Sequence, residues 1–177
     1  MVRGGLLKVC VVGAMLAIGM GDTMPANAAD AGAFLKQLAG NYRGRGSAKL
    51  DGRDNTEKVS CQVTNTYDAG SRALTVRGNC ASTQAKSSVS GKMVHNGDNV
   101  SGSLFASGEV TVTKSSGSVK GGKLTVSTNF SDKTSGKLTR TLQVIRRSGS
   151  GFEAEFFTYN YSNKKFERTG SIRFSRS

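Results

Sequence analysis

The chain has 177 residues, with 25 Lys and Arg against 12 Asp and Glu, and a formal net charge of +13. It holds one histidine, three cysteines and no tryptophan. So little His and Cys excludes most nucleophilic triads and clustered N/S metal sites, while the charge favours anionic partners.

Arg3 and Lys8 open the chain, followed by the apolar run Val9–Ile18 and then Ala26-Asn27-Ala28. A positive start, a short apolar core and small residues at a cleavage position are the features of a secretory signal peptide. The core is shorter than the ~20 apolar residues a bilayer span needs. Residues 1–28 are therefore expected to be removed after Ala28, leaving one domain over 29–177 in the periplasm or outside the cell. Cys10 leaves with the signal. Cys61 and Cys80 remain as an even pair in an oxidising compartment, where disulfides persist.

Residues 30–38 (DAGAFLKQL) form the only expected helix, capped by Asp30, with Phe34, Leu35 and Leu38 on one face. Beyond it the chain is rich in Gly, Ser, Thr and Val, and apolar residues alternate in short runs between turn signals, the pattern of antiparallel strands. A first strand is expected near 41–50. The clearest hairpin spans Lys58 to Ala81 around Asp68-Ala69-Gly70-Ser71, with Val59, Cys61 and Val63 facing Leu74, Val76, Gly78 and Cys80. Cys61 and Cys80 lie seven residues before and nine residues after that turn, close to symmetric about it. An unbulged hairpin sets them opposite each other, with Cα atoms ~4.5 Å apart in a non-hydrogen-bonded pair, close enough for a disulfide.

Asn96-Gly97 marks a second hairpin between strands near 87–95 and 99–106. Further strands are expected near 108–114, 122–130, 137–146, 151–161 and 167–175, with turns at 115–118, 121–122 and 148–151. Short connections favour pairing between sequence neighbours, and an open sheet of this size would leave long bare edges. The expected fold is all-β: an antiparallel up-and-down barrel of eight to ten strands. An outer-membrane barrel is not expected, because the strands are Ser/Thr/Lys-rich and tryptophan girdles are absent.

The segment FLKQLAGNYRGRG (34–46) resembles the opening of calycin-type barrels, lipocalin-like and nitrobindin-like, in which a short helix leads into a Gly-x-aromatic strand. Gly40, Gly44 and Gly46 match that pattern, with Tyr42 in place of tryptophan. The resemblance implies a structural arginine on the last strand over this ring, and Arg173 is the expected residue, in a cation–π contact worth about 0.5–2 kcal/mol. Nitrobindin-like proteins hold haem through a late histidine. The histidine here, His95, falls beside the Asn96-Gly97 turn and is expected to be an exposed loop residue, so no cofactor is expected.

Glu153 and Glu155 would share one strand face, roughly 6.5–7 Å apart, as a wet face rather than as a catalytic pair. Residues 151–174 carry seven aromatics. Phe152, Ala154 and Phe156 are expected to face inward, leaving Phe157, Tyr159 and Tyr161 outward beside Lys164, Lys165 and Arg168, unless a bulge at Phe156-Phe157 swaps the two sets. With the cluster Arg140, Arg146 and Arg147, these form the expected binding surface. The expected function is that of a non-enzymatic exported binding protein. It would hold an apolar or amphipathic anionic ligand, such as a lipid, in the barrel, or lipopolysaccharide or acidic polysaccharide on a basic face. The alternative is a protein-interaction module, a barrel-type inhibitor of a secreted enzyme or an envelope-integrity factor, with another envelope protein as partner. No physiological nucleic-acid partner, metal or membrane span is expected.

Overall fold

The computed structural model describes residues 30–49, 55–107 and 110–177, so the expected signal peptide lies outside the described residues. Asp30 caps the helix α1 (Ala31–Gln37) by accepting a hydrogen bond from the Gly32 backbone N–H at 3.0 Å. The helix buries Phe34 and Leu35, and Leu38 just beyond it, while Lys36 and Gln37 face water.

Ten strands follow: β1 (Gly40–Lys49), β2 (Thr56–Asp68), β3 (Ala73–Ala81), β4 (Lys86–Asn96), β5 (Asn99–Ser107), β6 (Val110–Lys120), β7 (Lys123–Asp132), β8 (Leu138–Ser148), β9 (Gly151–Asn160) and β10 (Lys165–Arg176). Each pairs antiparallel with its sequence neighbours, and β1 pairs with β10 to close the barrel. Closure removes the bare edges that an open sheet would expose. The segment 115–118, expected as a turn, instead lies within β6. The reversal falls at Gly121-Gly122, both in the left-handed region at φ +56° and +68°. Gly117 explains the difference. A Cβ there would run into the Thr125 carbonyl oxygen and lie 2.9 Å from the Val126 Cα, so this glycine marks close strand approach rather than a bend.

Alternation sends one face of each strand into the core. At the α1 end the interior is filled by an aromatic stack: Phe152 on Phe174 at 4.5 Å, Phe105 on Phe174 at 5.5 Å, and Tyr42 edge-on to Phe152 at 4.9 Å. The helix plugs this end, held by a 2.9 Å hydrogen bond from Asn65 Nδ2 to the Leu38 carbonyl. A buried polar rung crosses the middle. There Gln143 Nε2 donates to Ser103 Oγ at 3.4 Å, and the Thr128 hydroxyl donates to the Gly102 carbonyl.

Cys61 and Cys80 are direct register partners and form a disulfide, with Cα atoms 4.1 Å apart. On β1, Gly44 faces the Phe174 ring and Gly46 faces the β10 backbone. A Cβ at Gly46 would collide with the Ser171 carbonyl oxygen and lie 2.7 Å from Ile172 Cα. Gly46→Ala is therefore expected to destabilise the β1–β10 seam by about 1–3 kcal/mol, read from a urea unfolding midpoint. An unchanged midpoint would refute this account of the glycine.

Candidate functional site: barrel mouth and outer basic faces

Away from α1, the barrel opens into a mouth pocket of about 320 Å³. Phe105, Ala106, Val110 and Phe130 supply its apolar wall, and Thr139, Thr141 and Thr158 add hydroxyls. Asp132, Ser135 and Lys137 stand where β7 turns into β8. Asp132 accepts hydrogen bonds from the Ser135 backbone N–H (2.6 Å), the Ser135 hydroxyl (2.8 Å) and the Thr134 N–H (3.0 Å). The Ser135 N–H, then its hydroxyl, hold this carboxyl below the usual aspartate range. Because the folded value is the lower one, the turn is stabilised above the ordinary aspartate range and loses that support as pH falls through the folded value. The Ser135 amide resonance is expected to shift in acid and stay fixed near neutrality; a shift centred near neutrality would contradict this.

Arg140, Arg146, Phe157, Tyr159 and Arg168 lie on the outer face but do not act as one patch. The Arg140 guanidinium sits 5.5 Å from the Tyr159 ring centre and 5.3 Å from that of Phe166. Tyr159 meets Tyr161 edge-on at 5.0 Å, and Tyr161 is 63% exposed. Phe157 is half-buried between its register partners Leu142 and Arg168. Glu155 accepts a hydrogen bond from Arg146 and, through its other oxygen, forms an ion pair with Arg168 at 3.2 Å, so two of the expected cations are already paired. Arg147 donates to Gln37 Oε1 of α1 at 2.9 Å, at the opposite end of the barrel from the β9–β10 turn. That turn holds Lys164, at φ 57°, and leads into Lys165 at the start of β10; both are exposed.

Two sequence expectations are corrected. Arg173 does not cover Tyr42. Phe174 points inward, so Arg173 points out and pairs in register with Arg45. Arg176, the register partner of Tyr42, takes the role, with its guanidinium 5.6 Å from the ring centre and Nη2 donating to the Ala39 carbonyl at 2.9 Å. Arg176→Ala is expected to cost about 1 kcal/mol, while Arg173→Ala should stay within about 0.5 kcal/mol of the parent in thermal unfolding. The reverse order would restore Arg173 to the role. His95 is not in a loop but on β4, half-buried, with Nε2 2.9 Å from the Tyr67 hydroxyl and its ring against Gly32 of α1.

Strand alternation also sets Arg43 and Arg45 outward, on either side of the inward Gly44. With Arg173 they line a groove that includes Ser60, Gln62 and Ser175. The pattern Tyr-Arg-Gly-Arg-Gly at 42–46 carried this signal. Once Tyr42, Gly44 and Gly46 face in, both arginines must face out.

The fold is a closed, ten-stranded antiparallel up-and-down barrel with one short helix near its N-terminal end. No protein-family model matches the chain, and no curated protein matches it in sequence. Among solved structures it is similar to Rv2717c from M. tuberculosis, with a TM-score of 0.62 over 81% of this chain and 94% of that one. At 15% identity the likeness is one of fold.

Proposed function

We propose that this chain is a non-enzymatic, exported binding protein that takes an amphipathic anionic ligand in the barrel mouth. One observation carries the reading: the barrel is filled and plugged at the α1 end but opens at the other into a pocket of about 320 Å³. That volume lies at the lower end of the range of small-ligand sites, roughly 300–1,000 Å³. Phe105, Val110 and Phe130 would hold an apolar chain out of water, with Lys137 placed to meet its acidic head. The signal-like N-terminus and the Cys61–Cys80 disulfide support an oxidising compartment.

Titration with a fluorescent medium-chain fatty acid tests this. Saturable binding is expected, abolished by Thr141→Phe, which fills the pocket, and weakened about tenfold by Lys137→Glu. Thermal unfolding of both variants separates lost binding from lost fold. Binding left intact in a folded Thr141→Phe protein would overturn the reading.

A further inference from the structure

We infer that the outer face of β10–β1–β2 is a docking surface for a linear acidic polysaccharide, with Arg43, Arg45 and Arg173 as its anion-binding residues. This goes beyond the mouth site and is independent of it. The three guanidiniums rise from adjacent strands into one groove. Arg45 and Arg173 are direct cross-strand partners, and like charges placed opposite each other in a sheet repel. Arg43 and Arg45 are two residues apart on one strand face, roughly 6.5–7 Å along the chain.

Among the described residues, none of the three has a carboxylate within ion-pair reach. Glu153, the β9 register partner of Arg173, forms no ion pair with it. The contrast with the neighbouring face is direct: Arg146 and Arg168 share Glu155, while Arg140 lies over aromatic rings. The fold neutralises or covers those cations, and it leaves the three in this groove facing one another. Bringing an anion between them replaces repulsion with charge-assisted hydrogen bonds, and a guanidinium can meet a carboxylate with two parallel N–H donors.

The remaining lining selects the class of polymer. Ser60, Gln62 and Ser175 offer hydroxyl and amide groups matched to sugar hydroxyls, and no aromatic side chain lines the groove. Proteins that hold single-stranded nucleic acid stack its bases on aromatic rings, and this groove has none. The groove is open and runs across strands, so it suits an extended chain better than an enclosed small anion.

The test measures retention of the purified protein on immobilised polygalacturonate over a salt series, with galacturonic acid monomer and duplex DNA as competitors. Salt-sensitive retention is expected, with the polymer competing far better than the monomer. Arg45→Ser/Arg173→Ser is expected to weaken retention about tenfold or more. Arg45→Lys/Arg173→Lys keeps the charge but loses the two-donor fork, and should fall between. Lys120→Ser/Lys123→Ser removes the same charge from the β6–β7 turn and should change retention less than about twofold. All these side chains are exposed, so thermal midpoints should match the parent. Equal losses in the two Ser variants would show bulk charge alone and overturn the site. Unchanged retention after the arginine substitutions would do the same. Stronger competition by duplex DNA than by soluble polygalacturonate would overturn the polysaccharide assignment.

Discussion

Phe174→Ala is expected to destabilise the barrel by about 3–5 kcal/mol, the usual cost of deleting a fully buried ring. Phe174 is 1% exposed and lies between Phe152 and Phe105, with which it makes two of the barrel's stacked pairs. Such pairs contribute about 0.5–1.5 kcal/mol each beyond the area they bury. Gly44 lies directly across the β1–β10 seam, and a Cβ there would come within 2.6 Å of the Phe174 ring. The ring thus occupies the space the glycine leaves, and removing it opens a cavity that the rigid strands cannot collapse. Phe174→Leu should recover a large part of the loss. Urea denaturation reads the effect, and a loss below about 1 kcal/mol would show that the stack is not the core of this end.

Removing the Cys61–Cys80 bond is expected to cost about 3 kcal/mol, through a loop whose ends are 19 residues apart. The bond joins strands already paired along β2–β3, so it adds little to the native register. Its effect falls on the unfolded chain, which loses freedom when the hairpin stays tethered. Cys61 is 1% exposed and faces the barrel interior beside Gly44, so Cys61→Ala/Cys80→Ala is the appropriate variant. Its melting profile should fall well below that of the oxidised protein and match the reduced one. Two titratable thiols in the untreated protein, or a midpoint unmoved by both cysteine substitutions, would contradict this.

The hairpins were legible wherever period-2 alternation met a turn of definite chemistry. Cys61 and Cys80 sit symmetrically about the turn at 69–72, one residue beyond the expected Asp68–Ser71, and Asn96-Gly97 places Gly97 at φ +58°. Segment 115–118 misled because Ser-Ser-Gly-Ser has the composition of a turn, and only the approach of β7 shows why a glycine is needed there. The choice of Arg173 over Arg176 failed for a related reason. The stagger between first and last strands belongs to the closed barrel, although the inward Phe174 already excluded its neighbour by parity. The mouth pocket was not legible as a site. Phe105, Phe130 and Thr158 come from three different strands, with no local spacing to link them. The paired state of Arg146 and Arg168 was equally hidden, because Glu155 meets them from different strands. On sequence alone, these two cations looked as available as Arg43 and Arg45.

One property of the strand order governs how the molecule assembles. Nine of the ten ladders join sequence neighbours and can zip as local hairpins, whereas the β1–β10 ladder joins Tyr42 to Arg176 across almost the whole described chain. Its loop-closure entropy must be met in a single late event, after the meander has formed. The rate-limiting step of folding is thus expected to be this one docking. Substitutions at Gly46 or Ile172 should slow refolding in proportion to their effect on stability, while those in the β6–β7 hairpin should mainly speed unfolding. A nearly closed sheet with two bare strands is also the species most exposed to pairing with a second copy. Arg45 and Arg173 are direct partners in that same ladder, so their like charges oppose its formation whether the two strands come from one chain or from two.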